Sequence, residues 1–274
     1  PYGAFTADQL DDQSVEGLLA AAYAGLNAHY FGNNEAFAGP STNWIFDVRS
    51  DDAYKGGRDE SDIQEFHFYE IAGSIQTDFS NPDELWYACY VGISRANTAL
   101  RALEQTDSTL FPLRRQRIAE MRFLRGHWHF FLKERFKNIP YITEQVDADT
   151  VSNVQYTNDA LWQMIADDFA YGYEVLPETQ SDQGRPTKYA AAAYLAKTYL
   201  YKAYRQDEQH NVTEVNKEDL QQVVDLTTYV MSGPNHLEAD YASIFLPEGE
   251  NGAESLFSIQ FSTGDGTMFG RVDL

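Results

Sequence analysis

The segment from Leu113 to Phe136 constrains the fold more than any other part of this 274-residue chain. Met121, Leu124, Trp128 and Phe131 recur at helical spacing and line one face, while Phe123 and Phe130 form a second stripe. A helix that is apolar on two sides has no side to give to water, so it belongs at the centre with other helices around it. Asn138 and Pro140 end it, because the residue before a proline is pushed out of the helical region. Arg122 and Arg125 lie inside the same segment and must pair with acids such as Glu120 rather than reach a ligand.

The same periodicity predicts helices near 15–29, 82–104, 113–136, 159–176, 187–204 and 217–231. The second opens with Asn81 as cap, Pro82 at the first helical position and Glu84 as the capping-box acid. Its apolar stripe of Trp86, Tyr90, Ile93 and Leu100 includes Asn97, whose amide must be satisfied in the core. Ala191, Ala192, Leu195, Thr198 and Tyr199 share a face of the fifth helix, and the small alanines admit a close neighbour. Region 187–231 therefore reads as a helix pair of tetratricopeptide (TPR) type, with a longer connector than that repeat normally has. Glu254 to Phe261 reads as a strand and Asp265-Gly266 as a turn. The expected fold is mainly α with a little β, with Trp128, Phe123, Leu124, Leu195 and Tyr199 in the core.

Charge removes several function classes. Twenty Lys and Arg against 42 Asp and Glu leave a formal charge of −22, a field that repels nucleic acid and anionic lipid. One cysteine, Cys89, allows no internal disulfide or cysteine-based metal cluster, and it reads as a small buried hydrophobe. No run approaches the length of a membrane-spanning helix.

Motifs for catalysis or metals are weak. Gly92-Ile93-Ser94-Arg95-Ala96 lacks the second glycine of a nucleophile elbow and sits mid-helix. His127 and His129 are two apart and point to different faces, so they make no zinc pair. The acidic run from Asp51 to Glu60 lacks the alternating oxygen ligands and closing Glu of an EF-hand; no cofactor is expected, with calcium in a non-EF-hand site left open and indicated by no motif. With 42 acids no carboxylate pair is singled out for glycosidase chemistry. Asn211-Val212-Thr213 is a glycosylation sequon that chance explains. What stands out is the long stretch 33–80, without clear periodicity. It mixes Asp, Asn and Gly with Trp44, Phe46, Tyr54, Phe66, Phe68 and Tyr69. Aromatic faces ringed by hydrogen-bonding side chains suit neutral polyhydroxy ligands, whereas core packing accounts for about half of these aromatics.

Four segments together resemble one family. Trp86 to Asn97 is similar to the aromatic-led "I-x-R-A-N" helix of SusD/RagB proteins, and Ala119 to Phe130 to their "A-E-x-R-F-L-R-A" helix. Arg135 to Pro140 stands where the family has "F-G-x-x-P". Gly184-Arg185-Pro186-Thr187-Lys188 with Ala191 to Tyr201 resembles "G-R-x-T-K…A-x-L-A-R-x-Y-L", and Glu254 to Phe261 resembles "E-x-I-F-x-I-Q-F". The resemblance implies a single domain over 1–274 with TPR-like helix pairs. It also implies an outward-facing outer-membrane lipoprotein of Bacteroidetes that binds glycans without catalysis and partners a SusC-like TonB-dependent transporter. It further implies that the lipidated N-terminal anchor and much of the C-terminal half are absent here. Asn97, Arg122 and Arg185 are then scaffold. Ligand contacts are expected in the loop, at Trp44, Asp51, Asp52, Tyr54, Arg58 and Asp59. Peptide capture by the same architecture is the alternative. A TPR-like adaptor and a glycosidase are more remote.

Overall fold

The computed structural model describes residues 12–26, 44–62, 64–74, 80–109, 111–146 and 148–260. Eight α-helices follow in chain order among them: α1 (Asp12–Ala24), α2 (Trp44–Arg49), α3 (Gln64–Glu70), α4 (Ser80–Gln105), α5 (Arg114–Phe136), α6 (Asn158–Val175), α7 (Lys188–Ala203) and α8 (Lys217–Met231). Strands β1 (Tyr204–Gln206) and β2 (Val212–Val215) pair antiparallel between α7 and α8. Backbone contacts gather these elements into two compact units. One holds residues 93–260 with α1 as far as Ala22, and the other lies within Tyr23–Gly92.

In the first unit α5 packs on α6, α6 on α7 and α7 on α8. Side-chain caps fix where these helices start. Thr157, Thr187 and Asn216 accept from Ala160 N, Ala190 N and Asp219 N respectively, each satisfying a backbone donor that the helix itself leaves open. Phe123 of α5 is fully buried and sets its ring edge-on against Phe169, Tyr194 and Phe257 at 5.5, 5.3 and 5.2 Å. Burying such a ring stabilises the fold by about 1.5–3 kcal/mol, and the edge-to-face geometry adds to that. Trp128, Leu124 and Leu195 are buried as expected, and Cys89 is buried in the other unit. Tyr199 is only half-buried, with Lys202 Nζ 5.2 Å from its ring centroid. Tyr194, not Tyr199, is the aromatic hub of α7, stacking on Phe169 at 4.9 Å.

The buried charges of α5 do pair, but with a different acid. Asp168 on α6 accepts from Arg125 Nε and Nη2 at 2.8 and 2.7 Å, from Arg122 Nε at 2.9 Å and from Tyr141 OH at 2.7 Å. Burial pushes the Asp168 carboxyl up, but Arg125 first and then Arg122 and Tyr141 override it and hold the group at about 2. Glu120 is occupied elsewhere, by Arg117 Nη1 at 2.8 Å and Arg185 Nη1 at 2.7 Å. Asn97 is satisfied too: its amide donates to Ile142 O and accepts from Arg125 Nη1.

Four other expectations change. The connector between α7 and α8 is the β1–β2 hairpin. Stretch 33–80 contains α2 and α3; among the described residues Val48 of α2 and Phe66 of α3 are buried in a small core, with Ala53 and Tyr69 packed against it. The helix α4 begins at Ser80, whereas α5 ends at Phe136 as expected, capped by Lys137 at a left-handed φ of 64°. Residues 254–260 form bends rather than a strand. Their backbone is tied by Asn235 Nδ2 to Ala253 O and Ser255 O, and the segment delivers Phe257 to the core. Residues 27–29, 33–43 and 261–274, including the Asp265-Gly266 turn, lie outside the described residues.

Candidate functional site

The candidate loop lies between α2 and α3, in the unit within Tyr23–Gly92. Two anchors hold its ends: the Val48–Phe66 core, and a hydrogen bond from Lys55 N to Glu70 Oε2 at 3.3 Å. After α2 the chain turns through Asp51, whose φ is 69°, with Ser50 N and Ala53 N both donating to Asp47 O. Past Tyr54 it turns again at Gly56 and Gly57, at φ 64° and 79°. A side chain at Gly57 would be strained by that φ, and its Cβ would meet Asp62 Oδ2 at 2.5 Å. The second turn is closed from inside: Lys55 Nζ donates to Asp59 O, and Arg58 N donates to Asp62 Oδ2.

This frame treats the expected contact residues differently. Tyr54 is 82% exposed, so its ring is not packed inward. Asp51 is exposed, and its carboxylate takes part in no side-chain hydrogen bond of the described chain. Asp52 accepts from Ser50 Oγ at 3.2 Å. Arg58 pairs with its neighbour Asp59 at 3.0 Å, on the surface, where such a pair contributes little. Asp59 also accepts from Ser61 Oγ and N, and these bonds hold its carboxyl below the usual range. Asp51, Asp52, Tyr54, Arg58 and Asp59 thus share one exposed loop, within which Asp59 is largely a structural brace. Trp44 opens α2, and its side chain lies outside the described residues.

Nothing in the loop resembles a metal centre: among the described residues no three His, Cys, Asp or Glu gather to hold an ion. His127 and His129 do face different ways. His127 Nδ1 meets Tyr194 OH at 2.9 Å, and His129 stacks on Tyr141 at 3.9 Å while its Nε2 accepts from Ile142 N. Among the described residues no helix is long and apolar enough to cross a membrane. Sequence reading passed over a polar cleft where the β1–β2 tip meets the start of α6, because its walls come from residues far apart in the chain.

One unit is a packed series of helices, and the other holds an exposed loop with an aromatic and polar side chains. The family model described as "Starch-binding associating with outer membrane", a SusD-like family, matches residues 11–200, and the chain belongs to that family. A SusD-like protein of Formosa agariphila is 23% identical over 198 residues, covering 70% of this chain and 34% of the relative. A surface glycan-binding protein A from Bacteroides thetaiotaomicron, solved with laminarihexaose, superposes with a TM-score of 0.73 at 22% identity. That match covers 91% of this chain and 49% of the other. A laminarin-binding SusD-like protein gives 0.72 at 24% identity over 90% of this chain and 50% of the other. The chain thus spans about half the length of these solved structures, which share its fold.

Proposed function

We propose that this chain serves non-catalytic capture of glycans at the outer surface of a Bacteroidetes bacterium, for uptake through a SusC-like TonB-dependent transporter in the outer membrane. The observation that carries the reading is the exposed Tyr54 ring on a loop whose turns are fixed by its own hydrogen bonds. A flat ring held in the open stacks on the C–H face of a sugar, and the free Asp51 carboxylate accepts from its hydroxyls. Family membership and the glycan-binding proteins of the same fold support the same reading. Its non-catalytic character is supported by the glycan-binding proteins that share the fold.

Calorimetric titration with laminarihexaose and maltohexaose, beside a peptide library, tests the proposal. Tyr54→Ala should weaken the bound oligosaccharide by about 1–3 kcal/mol and leave the melting temperature unchanged, since an exposed ring adds nothing to the core. Binding should be insensitive to salt because no ion pair forms. Binding of peptides alone would replace the sugar reading with peptide capture. Turnover of a glycan, abolished by changing one carboxylate, would overturn the non-catalytic reading.

A further inference from the structure

We infer that Glu70, the last residue of α3, is a positioning residue for Tyr54: by accepting from Lys55 N it fixes the backbone beside the exposed ring and sets the direction in which that ring meets a ligand. The inference rests on the proposed role of this loop in glycan binding, and it adds a residue that neither composition nor exposure singles out.

Tyr54 stands in the open, but the residues on both sides of it are held. On one side Ala53 packs against the small core of Val48 and Phe66, and its N–H donates to Asp47 O at 3.2 Å. On the other side Lys55 N donates to Glu70 Oε2 at 3.3 Å, and Lys55 Nζ closes the following turn on Gly56 O and Asp59 O. The rest of the loop offers no substitute for Glu70. Among the described residues, every other hydrogen bond of residues 50–62 closes within the loop or on Asp47. Glu70 is thus the polar tie between the loop and α3, while Tyr69 beside it packs on the same core as Ala53.

Glu70 is poorly placed for any other task. It closes α3, where the negative end of the helix dipole meets a carboxylate unfavourably. The helix end is satisfied without it: Ile71 N donates to His67 O, Ala72 N to Tyr69 O and Gly73 N to Phe68 O. Among the described residues its carboxylate forms no ion pair and takes one hydrogen bond, from Lys55 N. An acid that costs its own helix and holds a single loop N–H is accounted for by what that N–H fixes. A ring set in place before its ligand arrives removes an ordering cost from binding.

The test compares the full chain with Glu70→Ala, Glu70→Gln, Tyr54→Ala and the double variant Glu70→Ala/Tyr54→Ala. NMR relaxation at the Tyr54 and Lys55 amides reads the positioning without any ligand, and calorimetric titration with laminarihexaose and maltohexaose reads its consequence. Glu70→Ala should lower the order parameters of both amides from about 0.85 to about 0.6 at an unchanged melting temperature. It should also weaken the bound oligosaccharide by about three- to tenfold. Glu70→Gln keeps an acceptor at the same reach and should return both readouts to near the parent values. In the Tyr54→Ala background Glu70→Ala should cost nothing further, because the group it positions is gone. Unchanged amide order in Glu70→Ala overturns the inference, and so do loosened amides with undiminished affinity. An additive loss in the double variant overturns it as well, since Glu70 would then be a separate ligand contact. If the parent chain binds neither oligosaccharide while Glu70→Ala loosens the loop, the glycan reading fails and the positioning of Tyr54 stands.

Discussion

Replacing Asp168 by Asn tests the central energetic claim of the fold. The carboxylate is buried and receives four hydrogen bonds, three of them from guanidinium groups. Asn keeps the shape, removes the charge and turns one acceptor into an N–H₂ that faces another donor. The depression of the carboxyl from 3.8 to about 2 corresponds to about 2–3 kcal/mol favouring the charged form. Arg125 keeps Glu144 as a second counter-charge, so the expected loss stays at about 2–3 kcal/mol, still a large part of a typical domain's stability. Urea unfolding followed by tryptophan fluorescence should show a lower midpoint at an unchanged slope. Because the folded pKa lies below the unfolded one, the stabilisation is complete above about pH 4 and is lost only as pH falls through about 2. The loss should therefore be the same at pH 7 and at pH 5.5. Arg122→Ala should cost less, since that side chain is 26% exposed. A loss below about 1 kcal/mol for Asp168→Asn, or one that disappears at pH 5.5, would refute the reasoning.

Three further outcomes are expected. Burial, with Arg135 and Lys197 adding to it, holds His127 at about 4; burial and Arg125 hold His129 at about 3. Both rings stay neutral when folded but take up protons below 6.5 when unfolded. Stability should fall as pH drops from about 6.5 to 4, by roughly 3 kcal/mol per ring, and His127→Phe should flatten that slope in denaturant titrations. Gly233→Ala would place a Cβ 2.5 Å from the Tyr189 ring, which stacks on Tyr229; a loss of about 1–3 kcal/mol is expected in thermal unfolding, and none would mean that the ring moves freely. Gly57→Ala should displace Arg58 and Asp59 and reduce oligosaccharide binding while global stability changes by less than about 1 kcal/mol; a core-sized loss of stability would show that the loop is not locally held.

The long helices were legible because each repeats its apolar residues over several turns. The stripes of Met121, Leu124 and Trp128 and of Phe123 and Phe130 place α5 at the centre of its unit without any knowledge of its partners. Legibility ends where a feature depends on pairing. Asp168 is one of 42 acids and carries no mark that Arg125 will choose it over Glu120. Val48 and Phe66 lie on helices of six and seven residues, too short for a stripe to repeat over several turns. The hairpin between α7 and α8 has strands of three and four residues, the second exposed throughout, which removes the alternation that marks a half-buried strand. For the loop, composition singled out Asp51 to Asp59 as candidates, and the structure leaves Tyr54 among them exposed. It did not show that Asp59 is spent on Ser61, which only the turn geometry reveals.

The buried charges of α5 also bear on how the chain is made. Synthesis releases Arg114–Phe136 before α6 and α7 exist, so Arg125 emerges ahead of Asp168 and Lys133 ahead of Asn158. Until those partners arrive, the charges keep water on surfaces that will become core, and Phe123 and Trp128 cannot close on one another or on a neighbouring nascent chain without desolvating an unpaired ion. Chains arrested at Phe136 should therefore stay soluble and open to protease, and resistance should appear once α7 has cleared the ribosome. The ions that make the finished core costly to break act, during synthesis, as a hold on premature collapse.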